Sequence, residues 1–137
     1  MVERHQEPLG LLDTSVIVDL DLIPDRELPT SYAVSALTLA ELSAGPHAAS
    51  SGTERAHRLR RLQFVESTVA SLPFDDDAAR AYGQIYAVVV AAGRKARGAR
   101  AVDLMIAATA LAHALPLFTR NPRDFSTLTG LVSVVSV

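Results

Sequence analysis

Between Arg100 and Arg120 the chain carries a single full charge, Asp103, and after Asp124 it carries none. The stretch these acids punctuate, AVDLMIAATALAHALPLFTRNPRDF over residues 101–125, predicts an amphipathic helix, a buried strand and the loop that follows. Ile106, Ala107, Ala110 and Leu111 lie three, four, seven and eight places after Asp103, so the acid shares the packing side of the helix. An ionised carboxylate on an apolar side is costly unless it is paired, hydrogen-bonded or bound to a metal. The bland account has Asp103 complementing a helix N-terminus and Asp124 as a loop acid. The sharper one has both acids meeting others in space.

The rest of the chain supplies candidates. Residues 10–12 (GLL) read as a buried strand, and Asp13-Thr14-Ser15 as its turn into a helix over 16–20 capped by Thr14 or Ser15. Residues 31–35 (SYAVS) form a second strand. Residues 36–43 form a helix whose only full charge is Glu41, stopped by Gly45-Pro46 and a small polar loop, GPHAASSG, expected to be mobile. From Thr53 or Glu54 runs an arginine-rich helix, with Ala56, Leu59, Leu62 and Val65 as its apolar face. Arg55, Arg58 and Arg61 recur near another face, read as solvated, with partner or RNA contact as the alternative. After the strand candidate VASLPF, Asp75-Asp76-Asp77 caps a long helix closed by Gly93, rather than forming a metal cluster. A basic connection, RKARGAR, leads into the helix expected over 101–114. Strands follow at 115–118 and, in the apolar tail LVSVVSV, at 131–137. Strand and helix alternating in this way predict an α/β domain with a mainly parallel sheet flanked by helices.

A length of 137 residues suits a single domain, 1–137, with a proper core. The absence of cysteine excludes disulfides and thiolate chemistry and suits a reducing cytosol. MVERHQEPLG has no apolar leader core, and no apolar run approaches the roughly 18 residues a membrane span needs. A soluble cytoplasmic protein without membrane contact is expected. The net charge of −2 is not that of a polycation, yet residues 94–124 hold six bases against two acids, Asp103 and Asp124. Arg94, Arg97 and Arg100 in that stretch are candidate phosphate contacts, since a guanidinium matches phosphate as a planar fork; a solvated helix end is the other reading.

In a parallel α/β fold, ligands bind outside the carboxyl ends of the strands. Asp13 and Asp124 follow strands, Glu41 lies in a helix after one, and Asp103 opens a helix at the same edge. Four lone acids are thereby predicted on one rim. Two unit charges about 4 Å apart repel by about 4 kcal/mol at an effective dielectric near 20, so such a rim calls for protonation or a cation. His5, His47, His57 and His113 are scattered, which leaves oxygen ligands and favours Mg²⁺ or Mn²⁺ over Zn²⁺. Carboxylate-held Mg²⁺ is a means of cleaving phosphodiesters, which points to a nuclease.

LLDTSVIVD, TLAELSAG, LPFDDDAARAYGQI and VDLMIAATALAHALPLFTRNPRDF, with the apolar tail, occur in the order found in PIN-domain ribonucleases of the VapC toxin type, which the sequence closely resembles along almost its whole length. The triplet DTS is weak by itself; the acid series D, E, D, D set in DxxIAATA and TRNxxDF is specific. The resemblance implies a PIN-like three-layer fold and Mg²⁺-dependent hydrolysis of structured or stable RNA. It implies Asp13, Glu41, Asp103 and Asp124 as the metal-binding and catalytic set, with Ser15, Thr119 and Asn121 orienting them or the substrate. It also implies a homodimer and a VapB-like antitoxin whose C-terminal segment blocks the cleft. Two alternatives remain open: an inactive PIN-like module that binds RNA or a partner, and a receiver-like phosphoacceptor domain. The lone lysine, Lys95, lies before the last long helix, which counts against the latter.

Overall fold

Five short strands, β1 (Leu9–Leu12), β2 (Ser31–Ser35), β3 (Ala70–Leu72), β4 (Leu117–Thr119) and β5 (Val134–Ser136), form one sheet in a computed structural model that describes residues 6–137. His5 and the four residues before it lie outside the described residues. All neighbours pair in parallel, in the order β3-β2-β1-β4-β5, with Leu11 opposite both Ala33 and Leu117. Helices α1 (Thr14–Val18), α2 (Ala36–Ala44), α3 (Gly52–Thr68), α4 (Asp76–Ala91) and α5 (Ala99–Ala112) occupy the connections, and a 3-10 helix, Pro122–Leu128, follows β4. Every strand therefore ends at the same edge.

Side chains alternate across a strand with a period of two, and here both faces are covered. Leu11, Ala33 and Leu117 face one core with Ile85 and Val89 of α4, Leu104 and Ile106 of α5, and Phe125. Leu12, Val34 and Phe118 face the other with Val16, Ile17, Leu42 and Val65. The result is the expected three-layer α/β arrangement. At Gly10 a Cβ would lie 2.5 Å from Phe118 Cε1 and 3.0 Å from a Pro29 ring carbon, so the absence of a side chain lets β1 pass the ring of β4.

Local signals explain most boundaries. Asp75 accepts from Ala78 N at 3.0 Å and caps α4, as expected. Gly93 takes a left-handed backbone (φ 75°) past the end of that helix. Gly98 (φ 61°, ψ −136°) sits where only glycine is comfortable, and α5 begins directly after it, two residues earlier than expected. The tail strand is shorter than expected, because Leu131 N and Val132 N both turn back onto Leu128 O, at 2.8 and 2.9 Å.

Two expectations need correction. The loop after α2 begins as a 3-10 helix, Gly45–Ala48, with Pro46 buried and Gly45 O accepting from Arg58. Helix α3 is rotated from the face its sequence suggested. Leu62 and Val65 pack inward, but Ala56 and Leu59 are exposed, Leu59 to 44 %, while Arg58 and Arg61 are partly covered. Arginine stems can lie along apolar surface while their heads find acceptors, so a charge pattern alone misplaces such a helix.

Candidate active site

At the end of β1 the chain turns into α1 through Asp13, which is itself the N-cap, displacing the expected Thr14 or Ser15. Asp13 is only 5 % exposed, so its charge needs partners. Oδ1 accepts from Thr14 N at 2.9 Å. Oδ2 accepts from Ser15 Oγ at 2.8 Å and from Thr119 Oγ1 at 2.9 Å. Thr119 ends β4 and is fully buried, so two adjacent strands fix one carboxylate. Ser15 Oγ in turn accepts from Arg120 N at 3.1 Å, and Thr119 Oγ1 from Asn121 N at 3.0 Å. Ser15 and Thr119 thus touch Asp13, whereas Asn121 joins through its backbone, its side chain being exposed. Each carboxylate oxygen has two lone pairs; both are used on Oδ2 and one remains on Oδ1.

Glu41 projects from the exposed side of α2, and its Oε1 accepts from Thr14 Oγ1 at 2.8 Å. Thr14 Oγ1 also lies 3.0 Å from Thr38 Oγ1, a buried hydroxyl three residues before Glu41 on the same helix. Sequence reasoning missed Thr14 and Thr38 as contributors to the site. The available signals were Thr14's place beside Asp13 and the three-residue spacing that puts Thr38 and Glu41 on one helical face.

Because α5 starts at Ala99, Asp103 lies beyond its first turn, where the helix dipole has little left to offer it. What acts on it is burial, and then the charge of the other three acids. Asp103 has its pKa raised to about 6, first by burial and then by the charges of Asp13, Asp124 and Glu41, with Arg100 pulling the other way. The charges of the three other lone acids thus reach Asp103. Asp124 sits in the 3-10 helix Pro122–Leu128, where its N–H donates to Asn121 O at 3.1 Å and its carboxylate approaches Arg100, Nη1 to Oδ1 being 3.8 Å.

The three candidate arginines separate. Arg94 and Arg97 stand exposed in the connection before α5. Arg100 is drawn into the acidic group, its side chain 20 % exposed, and its Nη2 is buried with no hydrogen-bond partner among the described residues. His47, His57 and His113 are exposed, and none adjoins the four acids in sequence.

The donor set is all oxygen and net negative, which fits a hard divalent cation such as Mg²⁺ or Mn²⁺. Among the described residues, no three acidic or histidine side chains stand close enough together to grip an ion as they lie. The acids share one field without sharing one coordination sphere.

The chain matches the PIN domain family over residues 10–131. It is 41 % identical over 133 residues to ribonuclease VapC5 of Mycobacterium tuberculosis, covering 91 % of each chain. It is also 37 % identical over 128 residues to VapC ribonuclease Y4jK of Sinorhizobium fredii, covering 84 % of this chain and 89 % of that one. Among solved structures, the VapBC-5 toxin-antitoxin complex of Mycobacterium tuberculosis contains a chain that superposes with a TM-score of 0.84 at 37 % identity, over 95 % of this chain and 99 % of that one.

Proposed function

The chain belongs to the PIN-domain family in its VapC-type branch, and from that premise we propose that it is a metal-dependent endoribonuclease that acts as the toxin of a toxin-antitoxin pair. What supports this reading is the charge of Asp13, Asp124 and Glu41 felt at Asp103, whose carboxyl is raised by burial first and by those three acids after it. Phosphodiester hydrolysis needs an activated water and neutralisation of the charge that builds on the phosphate, and bound Mg²⁺ supplies both.

Asp13 and Asp103 are the proposed principal ligands, with Glu41 and Asp124 completing the shell or holding a second ion. Asp13 would offer the lone pair left on Oδ1, since Ser15 and Thr119 occupy Oδ2. Thr14 orients Glu41, and Arg100 restrains Asp124. Arg94 and Arg97, facing solvent, are proposed contacts for substrate phosphates.

The names of the relatives support a VapB-like antitoxin as partner, and the family context supports a homodimer. Among the described residues no helix is long and apolar enough to cross a membrane, and a cytoplasmic site of action is proposed.

The test is cleavage of a panel of cellular RNAs by purified protein with Mg²⁺, with Mn²⁺ and with EDTA. Cleavage that requires the metal is expected. Cleavage indifferent to EDTA, or none of any RNA with either ion, contradicts the reading.

A further inference from the structure

Helix α3 turns arginines toward α1 and α2 rather than away from them. Arg58 Nη1 donates to Gly45 O at 2.9 Å and Arg58 Nη2 pairs with Glu54, while Arg61 Nη2 lies 3.5 Å from Val18 O. These residues border three adjoining hollows. The first, about 300 Å³, is lined by Thr14, Glu41, Arg58 and Arg61, so it opens on the acid that Thr14 holds. The second, about 440 Å³, adds Ser51 and His57; the third, about 370 Å³, adds Arg60 and Phe64. Val18 and Arg61 line all three, which makes them one groove running from Glu41 along the seam of α1 and α3.

Its walls carry Arg58, Arg60 and Arg61 against three acids, Glu41, Glu54 and Asp21; beyond Glu41, which belongs to the acidic site, and the Arg58–Glu54 pair, Arg60 and Arg61 face Asp21 alone. At the far end Phe64 is 39 % exposed, a large aromatic with one side open to solvent. A cluster of four acids repels a polyanion, and the molecule's net charge of −2 offers no general attraction, so cations that bring RNA to the acids must be local.

We propose that this groove holds the single-stranded RNA that leads into the acidic site, with Arg60 and Arg61 on its phosphates and Phe64 against a base. A basic track with an aromatic platform is how single strands are held without a demand for sequence. The assignment rests on the ribonuclease reading above and adds to it the path of the substrate. It places the main phosphate contacts on α3.

The test is fluorescence anisotropy of a labelled 12-nucleotide single-stranded RNA in an Asp103→Asn background, which keeps the RNA whole, with cleavage of the same RNA by the parent protein alongside. Arg60→Gln/Arg61→Gln is expected to weaken binding at least tenfold and to reduce the slope of log Kd against log salt by about 1.4, at about 0.7 per lost contact on a single strand. Phe64→Ala is expected to weaken binding with the slope unchanged. Arg60→Glu alone, at an exposed position, repeats the direction of effect if the double variant folds poorly. Parental affinity and slope in all these variants, with RNA still cleaved by the parent, overturn the groove and leave the nuclease standing. Loss of affinity for a peptide partner with RNA binding unchanged also overturns it, in favour of protein docking. Failure of the parent to cleave any RNA with either metal removes the ribonuclease reading and this proposal with it.

Discussion

Asp13 accepts three hydrogen bonds and keeps one lone pair free, so its orientation is set before any ligand arrives. Thr119→Val would remove a buried donor to that charge; a loss of about 1.5 to 3 kcal/mol is expected from urea melts, the range for hydrogen bonds to charged groups. Asp103 behaves in the opposite sense, being burdened by its neighbours. Its folded pKa, raised to about 6, lies above the ordinary value of 3.8, so the folded protein holds its proton more tightly than the unfolded chain. The stability this gives is complete below pH 3.8 and is lost as pH rises through about 6. Thermal melts in EDTA should therefore show Asp103→Asn more stable than the parent at pH 7, with the gap closing toward pH 4. A parent as stable as the variant at pH 7 would refute the crowding of charge at this position.

At the scale of elements, the strands and the long helices were legible because each carries a local signal. Adjacent apolar pairs, one residue for each core, mark β1, β2 and β4, Asp75 marks the start of α4, and Gly93 marks its end. The inward face of α3 was not legible because Leu59 and Leu62 look equivalent in sequence, and only the packed helix, with Arg58 on Gly45 O and Leu59 in solvent, separates them. Leu59→Gln should change stability by no more than about 0.5 kcal/mol, as surface substitutions generally do. Ile85→Ala, at a fully buried side chain of α4, should cost about 2 to 5 kcal/mol. Gly10→Ala should cost about 1 to 3 kcal/mol by pressing a methyl group into Phe118, which denaturant melts would register.

For the whole molecule, the parallel order β3-β2-β1-β4-β5 brings every strand's carboxyl end to one edge, and residues as distant in sequence as Asp13 and Thr119 meet there. The acids were visible beforehand because each is isolated in an uncharged segment. Thr14, Thr38 and the inward turn of Arg100 were not, since hydroxyls in helices are common and an arginine's direction depends on what packs beneath its stem. A cation that binds only the folded protein stabilises it by about 2.7 kcal/mol at a hundred times its Kd. Mn²⁺ should accordingly raise the parent's melting temperature at pH 7 and do little for Asp103→Asn.

The measurement that bears most directly on the central claim is the rate of RNA cleavage by matched preparations of the parent and Asp103→Asn in Mn²⁺, with circular dichroism verifying that both are folded. The account predicts cleavage by the parent and loss of at least a hundredfold in a folded variant, about 2.7 kcal/mol of transition-state stabilisation. A folded Asp103→Asn that cuts at the parental rate would contradict it.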